Sequence, residues 1–187
     1  RHVERPGVGG RHRPAALLNR LTEQYREVHN HLAQGADTLC QGRGPVSLGQ
    51  LGHSRDESER AAFCNHNGAD LVVSLHVDAS QSPQATGCAT YYFGDTVAGQ
   101  GSALGARMAE MVQTEITART DLTDLRYHAK SWDLLRMTKM PAVRVECGYI
   151  SSPHDASRLA DPAFRDAVAE GIAAAVVRFF APVPAEV

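Results

Sequence analysis

Leu71-Val-Val-Ser-Leu-His-Val77 is the stretch that decides the fold class. It is a short, apolar, β-branched run bounded by turn residues, a pattern that indicates a buried strand. A second strand is predicted over residues 89–93, and Pro141-Ala-Val-Arg-Val-Glu-Cys-Gly-Tyr-Ile150 indicates a third that leads into a turn. Helical patterns lie between and after these strands. The alternation predicts an α/β fold, a single three-layer domain with a mostly parallel central sheet flanked by helices.

The helices are predicted from capping residues and apolar periodicity. Ser54-Arg-Asp-Glu57 has the pattern of a capping box, with Ser54 as N-cap, and opens a helix that stops at Gly68. Apolar residues recur at helical spacing from about Ser102 to Thr117. Asp161-Pro162 supplies an N-cap and a first-turn proline for a last helix over residues 164–180.

Length and composition exclude several classes of protein. The 187 residues suit one domain with a sizeable core, and 43% hydrophobic with 21% charged residues is typical of a globular chain. The net charge of -2 gives no electrostatic reason to expect a nucleic acid partner. No apolar run approaches the roughly 20 residues of a spanning helix, so no membrane span is expected. The four cysteines lack a C-x-x-C pair, and we expect them to be small buried hydrophobes.

Residues 1–53 differ in character from residues 54–180. They hold five of the nine histidines and much arginine and glycine, but few convincing β-runs. No good strand precedes the loop predicted at Arg5-Pro-Gly-Val-Gly-Gly10, although a complete α/β domain is expected to have one. We therefore expect a single domain over residues 1–187 whose first 53 residues are atypical or incomplete.

His76 and Glu146 are candidate functional residues on physical grounds. Each lies toward the carboxyl end of its predicted strand, where open α/β sheets bind their ligands, so both are expected to line one crevice. A buried carboxylate is costly unless it has a partner or a function. The spacing leaves two interpretations: a metal ligand beside a base, or a hydrogen-bonded core histidine beside a glutamate paired with Arg136 or Arg144.

Longer motifs around both residues resemble one enzyme family. Asn67-Gly-Ala-Asp-Leu-Val-Val-Ser-Leu-His76 resembles the A-D-x-x-x-S-x-H strand of the zinc-dependent N-acetylmuramoyl-L-alanine amidases. The segment from Leu134 to Ser152 resembles their L-R-x-T-x-M-P-A-V-x-V-E-x-G-F-I-S segment, and the resemblance covers about Ser54 to Phe180 in the family's order. Trp132-Asp-Leu-Leu-Arg136 is particularly similar to an actinobacterial, partly degenerate branch of the family.

The resemblance implies roles for three residues. His76 takes the place of a zinc ligand, and Glu146 takes the place of the general base that later acts as acid. The family's second ligand is a glutamate that opens a helix in the first half of the domain. Glu23 falls at a suitable distance for that role, and a solvated helix glutamate is the alternative interpretation.

The family's first histidine ligand has no direct counterpart. It lies in a D-P-G-H-G-G loop, and the similar loop of this chain has Arg5 in place of the aspartate and Val8 in place of the histidine. Three explanations follow: His12 supplies the nitrogen from a shifted loop, the first part of the sequence is damaged or misread, or the domain is a degenerate amidase.

Two functions are therefore predicted. The first is a zinc-dependent hydrolase that cuts the amide between N-acetylmuramic acid and L-alanine, with peptidoglycan or a muropeptide as partner, in the cell envelope. The alternative is a non-catalytic regulator of cell-wall synthesis that binds peptidoglycan or its precursors, in the cytoplasm. Val8 favours the alternative, and the presence of both His76 and Glu146 favours the enzyme. Candidates for gripping a stem-peptide carboxylate or a sugar are Lys130, Trp132, Arg136 and Arg144.

Overall fold

The computed structural model describes residues 56–82 and 84–181, together with the backbone of two earlier strands. The strands are β1 (Asp37–Gln41), β2 (Pro45–Ser47), β3 (Leu71–Asp78), β4 (Cys88–Asp95), β5 (Gln100–Gly101), β6 (Asp124–Lys130) and β7 (Ala142–Tyr149). The helices are α1 (Glu57–His66), α2 (Ala103–Thr117), α3 (Asp133–Met137), α4 (Pro153–Ala160) and α5 (Pro162–Phe179). The predicted α/β class is confirmed. β5, β6, α3 and α4 are additional elements that the sequence patterns did not predict.

The central sheet is mixed rather than mostly parallel as predicted. In the described parts of the chain, seven strands form one sheet in the order β2-β1-β3-β7-β4-β5, with β6 also paired to β4. The pairs β3–β7 and β4–β6 are parallel, whereas the other four pairs are antiparallel. Residues 79–87 link β3 to β4, and they are too few for the crossover of about a dozen or more residues that parallel strands require. The direction of β4 is therefore reversed.

Alternate residues of the two central strands, β3 and β7, pack against different helices. The core face consists of Leu71, Val73, Leu75, Val143, Val145 and Cys147, which pack in one apolar cluster with α2 and α5. The crevice face consists of Val72, Ser74, His76, Ala142, Arg144 and Glu146. The amino-terminal members of this second face, Val72 and Ala142, pack with residues of α1 and α3. The sheet thus lies between two helical layers, and its crevice face turns polar toward the carboxyl ends of the strands.

The first described helix begins later than predicted. α1 starts at Glu57, and its N-cap is Asp56 rather than Ser54. The Asp56 carboxylate accepts a hydrogen bond from the Glu59 amide at 2.7 Å, and aspartate caps a helix as well as serine does. The predicted stop at Gly68 is confirmed by its left-handed φ of 62°. As a result, Glu57 occupies the first helical position instead of the third.

The two other predicted helices are confirmed. Ser102 caps α2 by accepting a hydrogen bond from the Gly105 amide at 2.9 Å. Asp161 caps α5, which begins at Pro162 as the sequence predicts. No helix within the described ranges has the length and apolarity needed to cross a membrane.

Two expectations about the chain are corrected. Cys88 and Cys147 are buried thiols as expected, but Cys64 is disulfide-bonded. β1 and β2 lie within residues 1–53, for which the sequence indicated few strands. β1 pairs with the edge of β3, and the ladder hydrogen bonds of a strongly β-forming neighbour outweigh a weak local preference.

The carboxyl end of β7 is anchored by Asp155 of α4. Its fully buried carboxylate accepts hydrogen bonds from the amides of Tyr149 and Gly87, each at 2.9 Å, and from the Thr86 hydroxyl. Burial opposes ionisation, but these hydrogen bonds outweigh it and hold the pKa of Asp155 below its ordinary value. The anchor ties the end of β7, and with it the crevice, to the connection that precedes β4.

Candidate active site

His76 and Glu146 are neighbours across two parallel strands. They are paired in register in β3 and β7, so both side chains lie on the crevice face near the carboxyl ends of the strands. His76 is half-buried, and Glu146 is only 3% exposed. The structure thus brings the two predicted residues together. Their roles as zinc ligand and base stay predictions at this point.

The imidazole of His76 is held by the residue two positions earlier on the same face. Nε2 lies 2.9 Å from the Ser74 hydroxyl, which is itself fully buried. Burial, with smaller contributions from the positive charges of Arg144 and Arg60, lowers the pKa of His76 to about 3. The ring is therefore neutral near pH 7, which is the state a metal ligand needs.

The two oxygens of the Glu146 carboxylate have different surroundings. Oε1 accepts a hydrogen bond from Nε of Arg144 at 2.7 Å. Oε2 is buried and has no hydrogen-bond partner among the described residues. Burial raises the pKa of Glu146 above its ordinary value, although the adjacent Arg144 guanidinium opposes that shift. A carboxylate with a raised pKa and one oxygen that no described residue binds is suited to accept a proton.

Arg144 is the partner of Glu146, and Arg136 is not. Nη1 of Arg144 also donates to Oε1 of Glu57 at 3.2 Å, and its guanidinium lies 4.6 Å from the centre of the Trp132 ring. Arg136 instead pairs with Asp133 at 2.6 Å, where both side chains are about half exposed. Of the two arginines that the sequence left open as partners of Glu146, the structure therefore selects Arg144.

Aromatic side chains line the crevice face beside Arg144. The rings of Tyr91 and Trp132 lie 4.8 Å apart, and Tyr91 also contacts His128 at 5.9 Å. Lys130 places its ammonium 5.7 Å from the centre of the Trp132 ring. Aromatic rings and cationic side chains thus lie side by side here, which makes a surface suited to sugar or peptide contacts.

Ser74 and Glu57 are parts of the site that were not predicted from the sequence. Ser74 has a usable signal, because it precedes His76 by two positions and strand residues two apart share a face. Glu57 has none, because it is separated from Arg144 by 87 positions in the chain. Its capping-box interpretation also assigned it a different, local role.

Comparison with known families agrees with these motifs. The model of the N-acetylmuramoyl-L-alanine amidase family, Amidase_3, matches residues 18–178. The chain belongs to this family. The amidase match extends well ahead of residue 54, where the recognisable motifs begin, and includes position 23.

Individual amidases show the same similarity. The chain is 46% identical over 127 residues to N-acetylmuramoyl-L-alanine amidase CwlM of Mycobacterium tuberculosis, covering 68% of this chain and 31% of that protein. It is 30% identical over 179 residues to N-acetylmuramoyl-L-alanine amidase LytC of Bacillus subtilis, covering 94% and 34% respectively. It therefore spans about a third of the length of these curated relatives.

A solved amidase structure has the same fold. The catalytic domain of CwlV, an N-acetylmuramoyl-L-alanine amidase from Bacillus (Paenibacillus) polymyxa, superposes with a TM-score of 0.61 at 27% sequence identity. The superposition covers 68% of this chain and 66% of that domain. The α/β architecture of the described residues is thus that of an amidase domain.

The residues that the family resemblance implies as zinc ligands lie only partly within the described residues. Neutral His76 fits one ligand position, but the described ranges contain no group of three or more His, Cys, Asp or Glu residues that could hold a metal ion. Glu23, Val8 and His12 lie outside the described residues. The described part of this amidase-family domain therefore contains one residue suited to bind a metal and one suited to act as a base, His76 and Glu146.

Proposed function

We propose that this chain is a zinc-dependent N-acetylmuramoyl-L-alanine amidase that hydrolyses the amide between N-acetylmuramic acid and L-alanine in peptidoglycan. The observation that carries the proposal is the Glu146 carboxylate. It is buried beside His76, with one oxygen held by Arg144 and the other without a partner among the described residues. A structural ion pair has no need of a free buried oxygen, which costs about 1–3 kcal/mol.

The proposed roles follow from the chemistry of each side chain. His76 and Glu23 would hold zinc, which when bound supplies Lewis-acid polarisation of the lactyl amide carbonyl. Oε2 of Glu146 takes a proton from the attacking water. The same oxygen then returns the proton to the leaving nitrogen of L-alanine, so Glu146 is first base and then acid. Ser74 keeps the His76 ring in one orientation by its contact with Nε2.

The proposed compartment is the cell envelope, outside the cytoplasmic membrane. Peptidoglycan, the proposed partner, lies there, and the relatives' names as amidases support that substrate. The disulfide at Cys64 agrees with this placement, because such bonds persist mainly in oxidising compartments.

Metal content and cleavage test the proposal together. The purified chain is dialysed against a trace of zinc, and we expect about one zinc per chain. His76→Ala should lower the zinc content, whereas His66→Ala, which alters an exposed histidine at the end of α1, should not. Cleavage of a muropeptide should release a new L-alanine amino terminus and should disappear in Glu146→Gln. Zinc-free protein that cleaves nothing would contradict the proposal.

A non-catalytic binder of peptidoglycan or its precursors is the second candidate. It is favoured by Val8 at the first histidine position of the family's loop. This candidate regulates cell-wall synthesis from the cytoplasm and needs neither zinc nor a base. It predicts muropeptide or precursor binding that survives both His76→Ala and Glu146→Gln.

A further inference from the structure

The side chain of Arg144 contacts two carboxylates and one aromatic ring. Its Nε donates to Glu146 Oε1 at 2.7 Å and its Nη1 donates to Glu57 Oε1 at 3.2 Å. The guanidinium carbon lies 4.6 Å from the centre of the Trp132 ring. A planar guanidinium fixed by two carboxylates and an aromatic face has little freedom left, because its donors diverge in a rigid fork.

Glu57 and Trp132, which contact Arg144, are themselves held where the start of α1 meets the start of α3; these two residues are called the corner below. Glu57 is the first residue of α1, and its second oxygen accepts a hydrogen bond from the Leu134 amide at 3.4 Å. Trp132 is the N-cap residue of α3, and its ring packs against the ring of Tyr91. The corner thus presents one carboxylate oxygen and one aromatic face to Arg144.

We propose that Arg144 is a positioning residue for the hydrolysis, an inference that rests on the proposed function. By binding Oε1 of Glu146, it fixes the orientation of the carboxylate and leaves Oε2 as the oxygen that exchanges the proton with water and the leaving amine. Glu57 and Trp132 in turn hold Arg144. Each link is a direct contact, and together they join the start of α1 to the proposed base.

The contacts of Arg144 disfavour the simpler interpretation that it grips a substrate carboxylate. Such a grip uses a guanidinium fork that is open to solvent, usually with two parallel hydrogen bonds. Here Nε and Nη1 are committed to protein carboxylates, and the side chain is only 23% exposed. Removing Arg144 should therefore alter the chemical step rather than the affinity for substrate.

Kinetics on the zinc-loaded full chain separate these roles. We expect Arg144→Gln to lower kcat by about 10–100-fold with little change in KM, the size of effect seen when an orienting partner is lost. Glu57→Gln should act in the same direction with a smaller drop, and it serves if Arg144→Gln fails to fold. Arg119→Gln, which removes an arginine paired with Glu115 on α2, should change neither constant. A raised KM with unchanged kcat would overturn the proposal.

A readout that needs neither metal nor turnover tests the geometry. Trp132 is the only tryptophan in the chain, so intrinsic fluorescence reports on the ring that Arg144 contacts. In metal-free protein, Glu146→Gln should shift the Trp132 emission through Arg144. The same substitution should cause no further shift in an Arg144→Gln background. Unchanged emission in Glu146→Gln would overturn the proposed link.

The two measurements distinguish failure of the inference from failure of the function. If the wild type hydrolyses muropeptide and Arg144→Gln keeps full kcat, the positioning role is wrong and the amidase function stands. If the zinc-treated wild type hydrolyses nothing, the amidase function is wrong and the catalytic role of Arg144 with it. Fluorescence coupling in that case shows only a structural link between the two residues.

Discussion

The core face and the crevice face belong to the same two strands, β3 and β7, but one buries apolar side chains and the other buries polar ones. The six core-face residues of β3 and β7 named above are apolar and at most 4% exposed. On the crevice face, buried Ser74 and Glu146 alternate with those apolar residues, at 0% and 3% exposure. One face gains stability from burial alone, whereas the other buries polar groups that need partners.

Because the two faces are separate, the polar residues of the candidate site lie on the crevice face without interrupting the apolar core. Leu75 and His76 are adjacent in sequence, but one completes the larger apolar cluster and the other contacts Ser74. Burial on the core face stabilises the domain, and this offsets the cost of the Glu146 oxygen that has no hydrogen-bond partner within residues 56–181 as described. Substitutions on the two faces should therefore affect different measurements.

The largest expected effect is on catalysis, from the crevice face. Glu146→Gln should lower kcat on a muropeptide by about 10²–10⁴-fold, the usual contribution of a general base.

The unfolding free energy of the Glu146→Gln variant near pH 7 should be equal to that of the wild type or higher. Burial raises the pKa of Glu146, so the folded state binds the proton more tightly, and wild-type stability falls as pH rises through that raised pKa. Urea unfolding at several pH values measures this, and a less stable variant at neutral pH would contradict it.

The next effect is on stability, from the core face. Leu75→Ala removes a fully buried side chain and should lower the unfolding free energy by about 2–5 kcal/mol. The adjacent His76→Ala is the matched control, and it should cost less because its side chain is half-buried. Urea denaturation of both variants compares the loss of unfolding free energy at two adjacent residues that lie on different faces. Equal losses in the two variants would contradict the distinction between the faces.

A smaller effect is expected at the anchor below the crevice. Asp155→Asn should cost about 1–3 kcal/mol, because the buried group loses charge-assisted hydrogen bonds. The folded pKa is depressed, so this stabilisation is present above the unfolded value of about 3.9 and is lost as pH falls through the folded pKa. Acid unfolding should show a weaker pH dependence in the variant. Asp70→Asn, at an exposed position, should keep the wild-type profile.

The smallest effect is expected at the exposed ion pair of α3. Arg136→Ala should change the unfolding free energy by no more than about 0.5 kcal/mol, because both side chains of the pair with Asp133 are solvated. Arg144→Gln should cost more, since it leaves buried Glu146 without its partner. Thermal unfolding of the two variants compares the two arginines that were named from the sequence as candidate partners of Glu146.

Part of the site could be predicted because its signals are local. The period of two along a strand and the rule on strand carboxyl ends place His76 and Glu146 together. The same period also favours Arg144 over Arg136 as the partner of Glu146, because residues two apart share a face. Glu57 was beyond reach, because its contact with Arg144 joins distant parts of the chain.

The sequence by itself determined the α/β class, the order of the main helices and strands, and the family motifs around His76 and Glu146. These depend on periodicity, capping and turn residues, which act within a few positions of the chain. Only the tertiary structure decided the mixed direction of the sheet, the pairing of β1 with β3, and the assembly of Glu57, Trp132 and Arg144 around the proposed base. Those features depend on which distant segments meet, and packing of the whole domain, rather than local preference, selects those contacts.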